Sequence, residues 1–129
     1  MKKYLFILFC FAVKISFSQS DTTFYEKGIA SYYAKAFEGR RCSSGEKFRH
    51  DSLTAAHKSL KYGTRVKVVN LNNDSVVVVR INDRLPKNSK RCIDLTRRGA
   101  KQLNFLVQGL TKVKIELIKD TVSINALAH

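Results

Sequence analysis

Acidic side chains, long apolar runs and proline are all scarce in this 129-residue sequence. It has 10 acidic residues against 24 lysines and arginines, which gives a net charge of +14, and a single proline. The longest apolar run, residues 4–13, covers about ten residues, whereas a membrane-spanning helix needs about 20. The sequence therefore predicts no membrane span, and its charge indicates an anionic partner or surface.

Several functional signatures are also missing. There is no phosphate-binding loop, dinucleotide fingerprint or Ser/His/Asp nucleophile motif. There is also no zinc-finger spacing, recognition helix or aromatic RNA-binding signature, and no internal repeat or low-complexity segment. Nucleic acid is therefore not expected as a partner. An acidic cell-envelope polymer fits the charge, and the alternative is a charge that only keeps the protein soluble.

The N-terminus has the pattern of a secretory signal peptide, with Lys2 and Lys3 ahead of the short apolar run. Cleavage near residue 20 would leave 109 residues (129 − 20), enough for one domain, with a charge of about +11 (14 − 3). Cys10 follows Phe9 where a lipoprotein signal needs a small residue. We therefore predict an exported protein of the periplasm or cell envelope without a stable membrane anchor.

The exported chain would keep two of the three cysteines, Cys42 and Cys92. An even pair in an oxidising compartment predicts a disulfide. The alternative is a metal site that adds His50 and His57, although the spacings match no known zinc pattern. We expect no metal and no cofactor.

Residues 76–84 give the strongest strand signal, with four consecutive valines followed by Ile81. Alternation puts Val77, Val79 and Ile81 on one face and predicts that Asp83 continues it. Residues 65–71 form another strand pattern, and the Asn-Asn-Asp turn between the two predicts a β-hairpin over residues 65–82.

The remaining pattern predicts short elements around this hairpin. Residues 21–27 are expected to be a flexible lead-in, 29–33 a strand, 37–46 a loop, 93–95 a strand, 111–118 a strand with Val113, Ile115 and Leu117 inward, and 119–129 a tail. Residues 53–57 fit either a helical turn or a strand. Thr96 is expected to cap a helix that runs to about Leu106, buries Ala100, Leu103 and Val107, and ends at Gly109. This predicts a mainly β protein, a small barrel with one helix at an end.

Three polar residues lie next to the predicted elements without an evident structural partner: Glu46, His57 and Asp83. Two carboxylates and an imidazole suit acid/base chemistry on a glycosidic bond, where an acid protonates the leaving oxygen. Each residue also has a structural interpretation. Glu46 can be a solvated loop acid, His57 a half-buried histidine, and Asp83 the partner of Arg84.

Six sequence blocks occur in a specific order. They are residues 28–33 (GIASYY), 37–46 (FEGRRCSSGE), 53–57 (LTAAH), 63–66 (GTRV), 79–84 (VRINDR) and 91–96 (RCIDLT). In this order the sequence resembles the RlpA (rare lipoprotein A) family of septal-ring lytic transglycosylases, from residue 28 to about 118. The resemblance implies a six-stranded double-psi β-barrel with one short helix, related to expansins.

The resemblance also implies an activity and a site. Family enzymes cleave peptidoglycan glycan strands and leave 1,6-anhydro ends. Asp83 would be the acid/base residue, with Glu46 and His57 lining the cleft and tuning it. Tyr32, Tyr33 and Arg84 would bind substrate, and Asp94 would be structural. The expected partner is the glycan strand, and the expected state is a monomer.

Three departures from the family pattern limit what carries over. Leu85 stands where a glycine usually follows Asn-Asp-Arg, and both the lipobox and the C-terminal peptidoglycan-binding repeat are missing. Septal targeting is therefore not implied. Two alternatives remain open: a non-catalytic, expansin-like glycan-binding module, and an inverting hydrolase in which Glu46 and Asp83 hold a water between them. For the acid role, burial at the strand end is expected to raise the pKa of Asp83.

Overall fold

The computed structural model describes residues 21–119. Its strands are β1 (Thr22–Tyr32), β2 (Thr54–His57), β3 (Arg65–Asn70), β4 (Val76–Arg84), β5 (Ile93–Leu95) and β6 (Thr111–Ile118). They close into a barrel in the order β1-β5-β2-β4-β3-β6, with a 3₁₀ turn at Lys35–Phe37 and one helix, α1 (Arg97–Gln102). The predicted mainly β barrel with six strands and one short helix is confirmed. The predicted signal peptide and all of the predicted tail except residue 119 lie outside the described residues.

The barrel is mixed in strand direction. The β1–β5 and β2–β4 pairs are parallel, and the other four pairs are antiparallel. The four-residue strand β2 lies between β4 and β5, and all of its residues are buried. The segment that fitted either a helical turn or a strand is therefore a strand in the middle of the sheet, where burial on both faces removes the alternation that marks exposed strands.

The predicted hairpin is confirmed. β3 and β4 pair antiparallel, with Val66 opposite Val79 and Val68 opposite Val77. These four valines are buried and form one side of the core. β6 closes the barrel against β3, and its Val113 and Ile115 are fully buried, as their alternation predicted.

The predicted flexible lead-in at residues 21–27 is wrong, because β1 begins at Thr22. This part of β1 pairs antiparallel with the end of β6, with Thr22 opposite Ile118 and Lys27 opposite Lys114. Most of its side chains are exposed or half-buried, so the sequence looks polar. Side-chain polarity reports exposure to solvent and does not report whether the backbone is paired.

The helix is shorter than predicted. Thr96 does cap it, since its hydroxyl oxygen accepts a hydrogen bond from the amide of Gly99 at 3.1 Å. The helix ends at Gln102, however, because Asn104 turns into the left-handed region at φ 56°. Val107 is 97% exposed, and Phe105 is buried in its place.

Side chains from the β3–β4 turn stabilise this early end. The carbonyl oxygen of Leu103 accepts hydrogen bonds from Asn70 at 2.7 Å, Asn73 at 3.1 Å and Ser75 at 3.0 Å. The last carbonyl groups of a helix normally need partners from a further turn of helix or from a cap, and here side chains supply those partners. Gly109, at φ 75°, lies in the turn before β6 and does not terminate the helix.

The predicted disulfide is also wrong. Cys42 and Cys92 are both free and buried. Cys92 packs against β1, where its Sγ atom would lie 2.8 Å from a Cβ atom added to Gly28, whereas Cys42 belongs to a loop beside Asp83. Burial raises the pKa of Cys42 to about 11 and that of Cys92 to about 12, so both remain thiols at neutral pH. Within residues 21–119, no helix has the length and apolarity to cross a membrane.

Candidate active site

A tight loop covers the end of β4. The amide of Cys42 donates to the carbonyl of Glu46 at 2.7 Å, and the amide of Gly45 donates to the carbonyl of Cys42 at 2.9 Å. Gly45 has a φ of 94°, which disfavours any residue with a Cβ atom there. An antiparallel bridge between Arg41 and Lys47 closes the base of the loop. This turn brings Ser43 and Glu46 against the carboxyl end of β4.

Asp83 is the centre of the contacts made by this loop. Its Oδ1 accepts hydrogen bonds from the amide and the hydroxyl of Ser43, both at 2.8 Å, and from the amide of Arg84 at 2.9 Å. Its Oδ2 accepts one hydrogen bond, from the hydroxyl of Tyr33 at 2.5 Å. The carboxylate is half-buried and is held in one orientation by donors from three elements.

A bulge interrupts β4 just before this residue. The register with β2 moves from Ala55 opposite Ile81 to Ala56 opposite Asp83, so Asn82 is the extra residue. Regular alternation therefore stops before Asp83. Bulges re-aim side chains near functional sites, and this one lets both Asn82 and Asp83 take part in the contacts with the loop.

The expected rise in the pKa of Asp83 is wrong. Burial does push the pKa upward, but the hydrogen bonds from Tyr33, Ser43 and the amide of Arg84 stabilise the ionised form and together lower the pKa below its ordinary value. The same arrangement, led by burial, strongly raises the pKa of Tyr33. Asp83 is thus an ionised carboxylate in the free protein, facing a neutral phenol.

The phenol contact can be tested directly. We expect Tyr33→Phe to raise the pKa of Asp83, because among residues 21–119 it removes the one donor to Oδ2. Carbon-detected NMR titration of the Asp83 carboxyl would measure the change. Tyr32→Phe is the matched control, since the Tyr32 hydroxyl donates to the carbonyl of Leu106 at 2.6 Å. An equal pKa in wild type and Tyr33→Phe would contradict this assignment.

Glu46 is held next to Asp83's strand by two side chains of β4. Arg80 donates to both of its carboxylate oxygens, at 2.7 and 3.1 Å, and Asn82 donates to Oε2 at 2.9 Å. The hydrogen bonds from Arg80, followed by that from Asn82, lower the pKa of Glu46. Its side chain remains 44% exposed, so it is an accessible anion with a fixed orientation.

The contacts of the His57 ring lie away from both acids. Its Nδ1 accepts hydrogen bonds from the amides of Ser59 and Leu60, both at 3.1 Å. Since Nδ1 is an acceptor, the ring proton lies on Nε2 and is donated to the carboxylate of Glu26. His57 contacts the residues that follow Asp83 through its backbone carbonyl. The carbonyl of His57 accepts from the amide of Leu85 at 3.2 Å and from Arg84 Nη1 at 3.3 Å.

An open cleft of about 460 Å³ borders Asp83. The three predicted substrate-binding residues, Tyr32, Tyr33 and Arg84, all line it. The guanidinium of Arg84 also lies 4.3 Å from the ring centre of Tyr62, a cation–π contact. The carboxylate of Asp83, which is half-buried, is therefore at the surface of an open cleft.

Asp94 forms part of the same cleft wall. It is buried and pairs in a bidentate manner with Arg91, at 2.8 and 3.1 Å, while Ser31 donates to its Oδ1. These contacts hold Arg91 at the cleft. Among residues 21–119, no three His, Cys, Asp or Glu side chains come together as metal ligands would.

Sequence reasoning missed five residues that hold the site: Glu26, Ser43, Tyr62, Arg80 and Asn82. Arg80 and Asn82 had a detectable signal, because residues two apart on a strand share a face and both lie within three residues of Asp83 in the sequence. Glu26 had none, since it lay in the segment predicted to be a lead-in.

The closed six-stranded mixed barrel, with its carboxylate at the end of β4, defines a double-psi β-barrel protein. Two solved structures share the fold. The Streptomyces papain inhibitor has a TM-score of 0.58 at 19% identity over 74% of this chain and 97% of its own. An expansin of Clavibacter michiganensis has a TM-score of 0.57 at 16% identity over 73% of this chain and 50% of its own.

The family model described as lytic transglycolase matches residues 25–115, and the chain belongs to this family. It is 47% identical over 92 residues to the probable endolytic peptidoglycan transglycosylase RlpA of Synechocystis, covering 71% of this chain and 29% of that protein. It is 45% identical over 91 residues to the endolytic peptidoglycan transglycosylase RlpA of Campylobacter jejuni, covering 70% and 33%. The chain thus matches about a third of the length of these relatives. The predicted RlpA-like resemblance is confirmed.

Proposed function

We propose that this protein is an endolytic peptidoglycan transglycosylase that acts on glycan strands in the cell envelope and leaves 1,6-anhydro-muramic ends. The observation that carries the proposal is the carboxylate of Asp83, held at an open cleft by Tyr33 and Ser43. Family membership and the names of the relatives support the same activity. We further propose that the protein is exported, and that its positive charge helps to retain it on an anionic wall.

In this mechanism Asp83 acts twice. Its protonated carboxyl gives a proton to the glycosidic oxygen as the bond from that oxygen to C1 breaks. The resulting carboxylate then takes the proton of the sugar's 6-hydroxyl while the oxygen of that hydroxyl bonds to C1. Asp83 ends as it began, no water is consumed, and the product carries an anhydro ring.

Proton donation requires the pKa of Asp83 to rise when substrate binds. The route we propose uses Oδ2, which has a single donor within the described part of the chain, whereas Oδ1 has three. A glycan that fills the cleft excludes water and increases the burial effect, which already raises the pKa of this group. The glycosidic oxygen can then replace the Tyr33 hydroxyl as the hydrogen-bond partner of Oδ2 and accept the carboxyl proton carried there.

The other predicted site residues have supporting roles in this proposal. Glu46 stays ionised and stabilises the positive charge that develops on the sugar ring in the transition state. His57 acts from a distance, because its carbonyl fixes the chain at Arg84 and Leu85, directly after the acid/base residue. Tyr33 orients Asp83, and Tyr32 and Arg84 line the cleft that holds the glycan strand.

One observation favours a second candidate, a non-catalytic glycan-binding module. Hydrogen bonds lower the pKa of both Asp83 and Glu46 in the free protein, so neither is a ready proton donor there. A binding module needs only fixed acceptors for sugar hydroxyl groups, and the two carboxylates supply them. The third candidate, the inverting hydrolase, would use the same two acids with a water between them.

Product analysis separates the three candidates. We expect purified protein to release glycan fragments with 1,6-anhydro ends from isolated peptidoglycan, each lighter by one water than the hydrolytic fragment, as measured by mass spectrometry. Fragments with reducing ends would instead identify a hydrolase. Binding without any released fragment, from strands with or without peptide stems, would identify the binding module.

A further inference from the structure

One part of the surface carries a group of exposed apolar side chains that the proposed site does not use. Residues 103–110 connect α1 to β6 there, beside the turn between β3 and β4. Within residues 21–119, eight large hydrophobic residues are exposed, and four of them lie in this loop or at the adjoining ends of β3 and β4: Leu71, Val76, Val107 and Leu110. These four residues are referred to as the loop face.

Hydrogen bonds keep the segments of the loop face together. The amide of Leu71 donates at 2.9 Å to the carbonyl of Lys112, which lies two residues after Leu110 in the chain. The side chain of Gln102 donates to the carbonyl of Val76 at 3.1 Å, so the start of β4 is tied to the helix that leads into the loop. The exposed apolar residues therefore belong to one surface, whereas apolar residues that are scattered singly need no explanation.

Val107 lies at the tip of an anchored turn. The amide of Gly109 donates to the carbonyl of Phe105 at 2.9 Å and closes the turn. Phe105 is buried in the core, and the hydroxyl of Tyr32 donates to the carbonyl of Leu106 at 2.6 Å. The base of the turn is thus held by the barrel while its apolar tip is exposed. Such a preformed tip loses little conformational entropy when it binds.

Lysines surround the loop face. Two shallow hollows of about 260 and 270 Å³ border it. Lys27 and Lys112 line the first, next to Leu71, and Lys101 lines the second, next to Val107. No acidic residue of the described chain lines either hollow. The three lysines are exposed and take part in none of the ion pairs found among residues 21–119, so their charges are available to an anionic partner.

We propose that the loop face binds reversibly to the surface of an anionic lipid membrane, with Val107 and Leu110 among the headgroups and the lysines against the headgroup phosphates. Apolar side chains leave water on insertion, and each lysine near the surface is attracted by its negative potential. Asp74 is one acid in the adjoining turn against three lysines.

The apolar tip distinguishes a lipid surface from the other anionic surfaces of a cell envelope. A wall polymer offers charge but no apolar phase, so it would leave Val107 and Leu110 in water. Lysine stems can lie along an apolar layer while their ammonium groups stay at the headgroups, which suits a lipid interface. A few small apolar side chains bury little area, so the contact is reversible and differs from a permanent anchor.

Vesicle binding tests the apolar contribution. The protein is purified after export and sedimented with vesicles of phosphatidylglycerol and phosphatidylethanolamine. We expect Leu110→Ser to lower the partition coefficient about fivefold, and Val107→Ser/Leu110→Ser to lower it at least about tenfold. Phe24→Ser is the matched control, since Phe24 is 57% exposed against 56% for Leu110 and pairs with Glu116 near the other end of the β1–β6 ladder. We expect it to change binding less than about twofold.

Matched charge variants test the lysines. Lys101→Gln/Lys112→Gln removes two charges beside the loop face, and Lys61→Gln/Lys119→Gln removes the same charge from two exposed positions elsewhere. We expect binding to the anionic vesicles to weaken about tenfold in the first variant and less than about threefold in the second. Wild type should bind vesicles of phosphatidylcholine at least about tenfold more weakly than the anionic ones.

Several results would overturn the proposal. Equal binding to the two kinds of vesicle would remove the role of the lysines, and equal losses in the control variants would show that the loop face is not the contact. If the loop variants lose binding to isolated peptidoglycan but not to vesicles, the partner is the wall polymer. A wild type that binds no vesicle would leave a protein as the occupant. Cleavage of isolated peptidoglycan by Val107→Ser/Leu110→Ser should equal that of wild type, so the vesicle result stands or fails independently of the proposed activity.

Discussion

Asp83→Asn is expected to reduce glycan cleavage by at least about a hundredfold while the protein still folds and binds peptidoglycan. The amide keeps the shape of the side chain, and its one oxygen, placed at the Oδ1 position, can still accept the hydrogen bonds from Ser43. Its NH2 group then lies at the Oδ2 position and can donate to the hydroxyl oxygen of Tyr33. The amide has no carboxyl proton to donate to the glycosidic oxygen, and it cannot take the proton of the 6-hydroxyl. Both halves of the proposed reaction are therefore lost together.

The measurement is the rate of release of anhydro fragments, with sedimentation on isolated peptidoglycan as the binding assay. Asp51→Asn is the matched control, since Asp51 is exposed and, within residues 21–119, is hydrogen-bonded through its backbone carbonyl, which accepts from Arg98 at 2.8 Å. Equal cleavage by wild type and Asp83→Asn would remove Asp83 from the mechanism. Loss of folding, seen by circular dichroism, would instead mean that its four hydrogen bonds are structural.

Asn70→Ala is expected to destabilise the fold by about 3 kcal/mol, a large effect for a substitution far from the cleft. Asn70 is 1% exposed, and it joins three elements. It donates to the carbonyl of Leu103 at 2.7 Å and accepts from Thr111 at 2.8 Å and from the amide of Asn72 at 3.0 Å. Truncation leaves the buried hydroxyl of Thr111 without its acceptor and opens a cavity at a buried position, while the carbonyl of Leu103 keeps its hydrogen bonds from Asn73 and Ser75. The desolvation cost of the hydroxyl adds to the cost of the cavity.

Asn73→Ala is the control for this prediction. Asn73 also makes three hydrogen bonds, one to the carbonyl of Leu103 and two from Ser75, but it is exposed, so water replaces the lost contacts. We expect a loss below about 1 kcal/mol in chemical denaturation. Comparable losses in the two variants would show that the burial of Asn70 does not set its contribution.

Local periodicity was sufficient for the parts of the fold whose neighbours are close in sequence. The β3–β4 hairpin, the inward face of β6 and the cap at Thr96 were predicted because alternation and capping depend on adjacent residues. The order of six short blocks was sufficient for the family. Through the family it also identified Asp83 and Glu46, two acids that the structure brings to the same loop and strand.

Contacts between distant parts of the chain explain the failures. β1 begins at Thr22 because β6 supplies its hydrogen bonds, about ninety residues later in the sequence. Helix α1 ends early because Asn70, Asn73 and Ser75 take the carbonyl of Leu103. The two cysteines lie on different parts of the barrel, which a count of cysteines does not reveal.

The chemistry of the site divides in the same way. The amino-acid pattern alone showed that a carboxylate ends a strongly β-forming strand, and the order of the blocks pointed to a family with an acid/base residue there. The direction of its pKa depends on the fold, because burial opposes the donors from Tyr33 and Ser43, fifty and forty residues away in the chain. The fold likewise determines that the His57 ring faces Glu26. The protonation of Asp83 and the tautomer of His57 depend on contacts between residues that are distant in the sequence, and the closed barrel brings those residues together.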